Sequence, residues 1–440
     1  MRLDADALAR TFADVAARHD RCAWLDGGGA RDWSGRRSIL AWCEPDDVSL
    51  TYDAGRREVL RHRDGRAEVV GDDPFVVLQA ELDAGPRDAH WLGWFGYASR
   101  PDLPARVPTS EDAAHVPDAV WMRPSHLRLV DHLPDEQRAV PPEPARPKPA
   151  PPGSAHEAPP AGYRRAFAQV QERLHAGDTY EVNLTMRLRA AADLDPASAY
   201  LRLRALNPAP YAGFLQHRSP VPGATGWLLS SSPERYALIG PEDPAAPDGP
   251  RRLETKPIKG TLPRLAEPDA DASQRERLRS APRFRAENLM IVDLLRNDLS
   301  LVCEPGTVEV PALMQVETYA TVHQLVSTVR GRLRRDVPTV AALRALFPAG
   351  SMTGAPKLRT MSVIAEVEAD PRGVYSGAFG WIGADGRADL GVVIRSLTTA
   401  GDGTWQVGTG GGVTVLSEVA DEHAEALLKA ARVLRVLDDA

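Results

Sequence analysis

Leu8, Phe12 and Val15 recur at spacings of four and three, which predicts a helix near the start of the chain. The short apolar runs CAWLD, SILAW, VSLTY and WLGWFGY, the last around Gly93 and Gly96, predict strands. From Tyr163 to His175 the helical spacing returns in Phe167, Val170 and Leu174, and Gly177 marks its end. The next segment, TYEVNLTMRLRA, alternates strictly through Tyr180, Val182, Leu184 and Met186, the pattern of a strand with one buried face. Helices then alternate irregularly with the strand-like runs GWLLSSS, YALIG, TVHQLVSTVRGRL and ADLGVVIRSLTT. Several of these runs follow one another as hairpins. The pattern predicts an α+β fold with large antiparallel sheets, not a doubly wound parallel sheet.

One segment breaks the pattern. From Leu133 to Pro160 the chain carries ten of its 38 prolines and, after Leu133, nothing apolar larger than valine. Such a stretch cannot continue a helix or a central strand, and predicts an exposed linker or disordered loop. It divides the 440 residues into an N-terminal region, 1–132, the linker, 133–160, and a C-terminal domain, 161–440.

Hydrophobic residues make up 43% and charged residues 26%, as in ordinary globular proteins. Fifty-three basic and 60 acidic residues give a net charge of −7, which argues against nucleic-acid or anionic-membrane binding. The N-terminus lacks the apolar core of a signal peptide, and even LMIVDLL is interrupted by Asp293, so a cytoplasmic protein is expected. Cys22, Cys43 and Cys303 are widely spaced and odd in number, which predicts three buried, inert thiols.

Four segments carry candidate chemistry. PRFRAENLMIVDLLRNDLS predicts a helix opened by Pro282, with Glu287 in its first turns; a lone glutamate there is more often solvated than turned into a cleft. In DEHAEALLKAARVLRVL, Glu422, Glu425 and Lys429 share one helix face, opposite a predicted buried face of Leu427, Ala431 and Leu434. The three glutamates together would suit a hard cation such as Mg²⁺, whereas the last helix alone also reads as a surface salt-bridge ladder. GTGGGV, residues 408–413, is either a tight turn or a loop whose bare N–H groups approach a carboxylate; it matches no nucleotide-binding pattern. In TKPIKGTLPR, Lys259 lies between Ile258 and Gly260; it is either solvated, as a single lysine most often is, or partly desolvated, which would make its amine a nucleophile. Glu234 in SSSPERY is either a general acid or an exposed turn residue.

SSSPERY, PIKGTLPR, AENLMIVDLLRNDLS, FPAGSMTGAPK, GVYSGAFGWI and GTGGGVTVLSE with the glutamates and lysine that follow stand here in a particular order. Taken together they resemble the chorismate-utilising enzymes, the family of anthranilate synthase component I, aminodeoxychorismate synthase component I and the isochorismate and salicylate synthases. The resemblance runs from about Tyr163 to Leu437 and extends more weakly to WLGWFGY. It implies a two-sheet α/β sandwich with the active site in a cleft between the sheets, and a Mg²⁺ held by Glu287 and Glu425, with Glu422 as a second acidic position. It also implies that Gly410, Gly411 and Gly412 hold a substrate carboxylate through their N–H groups. Arg395 and Tyr375 would anchor the enolpyruvyl carboxylate and Lys429 would pair with a carboxylate. Thr353 and Gly354 would line the cleft, and His323 would lie near the reacting ring for proton transfer.

Lys259 is similar to the lysine of the members that aminate chorismate at C4, the aminodeoxychorismate synthase type, where it attacks ring C2 while Glu234 protonates the departing C4 hydroxyl. The alternatives within the family are anthranilate synthase component I and 2-amino-2-deoxyisochorismate synthase. Where isochorismate and salicylate synthases place a water-activating lysine, and amine-adding members usually a glutamine, this chain has Glu181. The resemblance further implies a separate glutamine amidotransferase subunit as ammonia donor, and a product used for p-aminobenzoate in folate or specialised metabolism. Asp26, Arg37, Ser38, Pro210 and Tyr211 stand where some members bind tryptophan, although Leu25-Asp26-Gly27 departs from the usual Leu-Glu-Ser.

Overall fold

A computed structural model describes residues 5–27, 37–108, 116–132, 158–319 and 322–438. Among these residues the strands form two sheets, one of nine strands and one of twelve, and neighbouring strands run antiparallel. The sheets pack face to face. Ala23, Ile39, Leu215 and Leu228 of the first interdigitate with Leu92, Trp94, Val120 and Phe379 of the second.

Helices cover both outer faces. On the first sheet Trp24 and Phe214 meet Phe12 of helix Ala5–Arg18, each pair of rings 4.9 Å apart, and Tyr200 of helix Pro196–Leu206. On the second, Phe95 stacks on Phe75 of helix Pro74–Ala84 at 3.9 Å, beside Ile291 and Leu295 of helix Pro282–Ser300. Burying each such side chain contributes about 1.5–3 kcal/mol, so these layers hold the helices to the sheets. The α+β architecture of two antiparallel sheets matches the expectation.

The boundary near residues 133–160 divides the sequence but not the fold. Strand Arg21–Asp26 pairs with Tyr211–His217 in the first sheet, and His90–Phe95 pairs with Ala378–Gly383 in the second. Both sheets therefore need both halves of the chain. Of the linker, residues 133–157 lie outside the described residues, and helix Ala161–His175 begins directly after it. That helix ends before Gly177, which takes φ +75, a conformation glycine adopts without a Cβ clash.

The three cysteines are buried and free, and burial pushes the thiols up, Cys43 to about 12 and Cys303 to about 11. Among the described residues no helix is long and apolar enough to cross a membrane.

Two elements differ from expectation in ways that matter for the site. Strand Glu181–Ala191 buries Val182 and Leu184 as its alternation predicts, but Glu181, Asn183 and Thr185 on the opposite face are only 1%, 5% and 6% exposed. A polar face is therefore packed inside the protein. The glycine run is neither turn nor loop but the end of strand Thr404–Val413, paired with Glu181–Ala191 along its length. Its other edge pairs with Ser396–Thr399 only as far as Val407. Beyond that point the glycines pair with no second strand among the described residues, and that edge faces the cavity.

Candidate active site

Where strand Thr404–Val413 and helix Val419–Leu434 face strand Ile258–Pro263 and helix Pro282–Ser300, a cavity of about 270 Å³ opens. Lys259, Glu234, Glu287, Tyr375, Arg395, Gly410, Gly411, Gly412, Glu422, Glu425 and Lys429 all reach its wall. Residues up to 195 positions apart in sequence thus share one chamber, as the motif order suggests.

Lys259 is mostly buried and ion-paired with Glu181. Burial pushes its amine down, but the carboxylates of Glu181, Glu287 and Glu234 outweigh this, and the amine sits above the ordinary lysine value. The resting lysine is therefore charged, contrary to the desolvated, neutral amine that its apolar neighbours suggest. Gly412 leaves the room for this pair: a Cβ there would stand 2.0 Å from Glu181 Oε1. The second carboxylate oxygen, Oε2, is buried without a hydrogen-bond partner among the described residues.

Glu234 is almost fully buried in the turn that follows strand Gly226–Ser232, and burial pushes its carboxyl up to about 7. The Ser351 hydroxyl, which donates to Oε1 at 2.6 Å, and the charges of Lys259 and Arg395 oppose that rise. A carboxyl poised there exchanges a proton near neutral pH. Burial and the nearby Arg432 lower Arg395 to about 10, with Glu234 partly offsetting them. Tyr375, stacked under Arg187 at 4.6 Å, completes this side of the wall.

The acidic side is organised by two cations. Arg283 donates to Glu287 at 3.0 Å and to Glu422 at 2.9 Å, while Lys429 pairs with Glu425 at 2.9 Å and donates to the Gly410 carbonyl at 3.0 Å. Ser417 also donates to Glu422, at 2.7 Å. Burial pushes the Glu287 and Glu422 carboxyls up. Among the described residues no three acidic, His or Cys side chains close on a ready-made metal cluster. The donors nevertheless suit a hard cation: the buried Glu422 and the mostly buried Glu287 face one cavity, bridged by a half-exposed guanidinium whose place an ion would take. The last helix turns its acidic face inward. Its buried stripe is Glu422, Ala426, Ala430 and Val433, not Leu427, Ala431 and Leu434.

Three expected positions fall elsewhere. His323 is buried off the cavity wall, its Nδ1 2.9 Å from Thr318 Oγ1 and its Nε2 3.1 Å from Asp271 Oδ1. Its neighbour Gln324 reaches the cavity instead, because successive side chains on a strand point to opposite faces. Thr353 and Gly354 do not line the cavity; Ser351 and Met352 of the same motif do. Thr353 accepts the Asn183 amide through its carbonyl at 2.8 Å, and Gly354 pairs with Val182, so both brace the strand that carries Glu181. Gln324, Asn183, Ser351 and Arg283 were not singled out from the sequence. The buried polar face of strand Glu181–Ala191 was the available signal for Asn183.

The five residues at the tryptophan positions do not share one face. Asp26 and Ser38 meet, Ser38 Oγ donating to Asp26 Oδ1 at 3.1 Å, with Arg204 donating to Oδ2 at 2.6 Å. Arg37, one residue from Ser38, turns outward to Asp131. Tyr211 is one residue off the Asp26–Ala212 pair and faces the other side of the sheet, where its hydroxyl donates to Asp389 at 2.8 Å, and Pro210 is buried beside it.

A family model described as chorismate binding enzyme matches residues 22–435. The chain belongs to the chorismate-binding enzyme family. It is 40% identical, over 99% of its length, to an aminodeoxychorismate synthase of Streptomyces pristinaespiralis. It is 43% identical, over 63% of its length, to aminodeoxychorismate synthase component 1 of Klebsiella aerogenes. The matched parts span 64% and 58% of those two relatives. Among solved structures, anthranilate synthase component I of Streptococcus pneumoniae superposes with a TM-score of 0.69 at 25% identity, covering 92% of this chain and 93% of that one.

Proposed function

We propose that this chorismate-binding enzyme aminates chorismate at ring C4, giving 4-amino-4-deoxychorismate, with Lys259 as a covalent nucleophile. The observation that carries this reading is the convergence of a mostly buried lysine and a carboxyl poised near neutrality on one cavity. Similarity to the aminodeoxychorismate synthases supports it.

Chorismate carries two carboxylates. Arg395, Lys429 and the open glycine edge offer charge and N–H groups to them, and Tyr375 packs alongside. Glu287, Glu422 and Glu425 would hold a Mg²⁺, which supplies positive charge beside a substrate carboxylate when bound. Lys259 first gives up its proton, and Glu181, in contact with Nζ, is the acceptor at hand. The N–C2 bond then forms, the ring double bonds shift and the C4–O bond breaks, with Glu234 supplying the proton that lets the hydroxide leave as water. Ammonia adds at C4, the double bonds shift back and Lys259 departs as an amine. Splitting one displacement into two is what the covalent step contributes. We assign ammonia supply to an amidotransferase partner, a reading supported by similarity to aminodeoxychorismate synthase component 1.

Product analysis with chorismate, Mg²⁺ and ammonium tests the reading: a C4-aminated product supports it, and a C2-aminated product or anthranilate overturns it. The Glu234 carboxyl sets a pH prediction. Its proton is present below about 7 and lost above, so the rate of adduct formation on Lys259 should fall as pH rises through about 7. Glu234→Gln should slow the step about 10²–10⁴-fold and remove that falling limb from the stopped-flow pH profile. Gly412→Ala should also impair turnover, because the added methyl would displace Glu181 from Lys259. Wild-type ammonium-dependent turnover in that variant would show that the Glu181 contact is dispensable.

A further inference from the structure

Gln324 is 1% exposed, stands on the cavity wall, and its Oε1 has no hydrogen-bond partner among the described residues. A buried acceptor left without a donor is destabilising, so a bound group that donates to it is favoured. The backbone cannot turn it away. At this point strand Val322–Arg332 is paired on both edges, Gln324 lying opposite Thr261 on one side and Glu317 on the other. Thr261 belongs to the strand that carries Lys259, so the orphaned carbonyl lies beside the nucleophile's own strand.

The chemistry of the substrate limits what can satisfy it. At neutral pH the two carboxylates and the enol-ether oxygen of chorismate only accept hydrogen bonds; its C4 hydroxyl is the one donor. We propose that Gln324 Oε1 accepts a hydrogen bond from the group carried on ring C4, the hydroxyl before exchange and the amine after it. Both groups are donors of similar size, so one acceptor serves each stage, and an amide holds no proton that the reaction could consume. Gln324 is thereby a residue that recognises the position being substituted. The inference rests on the chorismate reading above.

The test compares the Mg²⁺-dependent affinities of chorismate and its 4-deoxy analogue for the wild-type chain and for Gln324→Leu, which keeps the volume and removes the acceptor. The wild type should bind chorismate about tenfold more tightly than the analogue, the scale of one hydrogen bond. Gln324→Leu should bind the two equally and hold the analogue as tightly as the wild type does. A merely structural role would weaken both ligands together and leave their ratio intact, which would overturn the proposal, as would a wild type that does not distinguish them. If neither ligand binds the wild type, the substrate reading itself fails, and this inference with it. Should Gln324→Leu not fold, Gln324→Met gives the same comparison.

Discussion

Lys259→Ala is expected to reduce C4 amination at least about 10³-fold, the scale on which a covalent nucleophile is missed. The side chain lies in the cavity, in contact with Glu181, and within the field of Glu287 and Glu234. Its loss should leave Arg395, Lys429 and the glycine edge to bind chorismate, so affinity in the presence of Mg²⁺ should change little. Removing one partner of a buried ion pair strands the other, at a typical cost of about 3–5 kcal/mol. The double variant Lys259→Met, Glu181→Gln removes both charges and separates lost chemistry from lost stability. Mass spectrometry of the wild-type chain incubated with chorismate and no ammonia should show an adduct on the peptide that holds Lys259. No adduct, together with near wild-type amination by Lys259→Ala, would remove the covalent mechanism.

Glu287→Gln should raise the Mg²⁺ concentration for half-maximal turnover by about 10–100-fold. Glu287 is mostly buried, with its carboxyl pushed up by burial and, among the described residues, only Arg283 donating to it. A neutral amide keeps its shape but loses the charge that a hard cation requires. Glu425→Gln should have a smaller effect, because that side chain is half-exposed and already neutralised by Lys429. Chelation should abolish turnover in all three proteins, and added Mg²⁺ should restore it. A Mg²⁺ titration of Glu287→Gln that overlays the wild type would take Glu287 out of the metal site.

The pH profile, the Gly412→Ala result and the ligand comparison at Gln324 address different atoms of the same cavity. Their residues are tied together through contacts between distant segments, Lys259 with Glu181 and Arg283 with Glu422. Neighbouring substitutions in such a network are not expected to add.

Local spacing in the sequence was sufficient for the elements themselves. Leu8, Phe12 and Val15 mark a helix because 3.6 residues per turn brings them to one side, and Pro282 opens another because its missing N–H is not needed in a first helical turn. The ordered motifs also named most of the cavity wall, including Lys259, Glu234, Glu287 and Tyr375. What spacing could not decide was which side of a strand meets the cavity. His323 and Gln324 differ by one position, and the two-residue period of a strand sends them to opposite faces; only the packing of Asp271 and Thr318 against His323 settles the choice. The glycine run has no side chains from which to read a period, so its strand became visible only through pairing with Glu181–Ala191. The charge state of Lys259 likewise depends on Glu181, 78 positions away. Coulombic contacts act through space rather than along the chain, and the apolar neighbours of Lys259 in sequence pointed in the opposite direction.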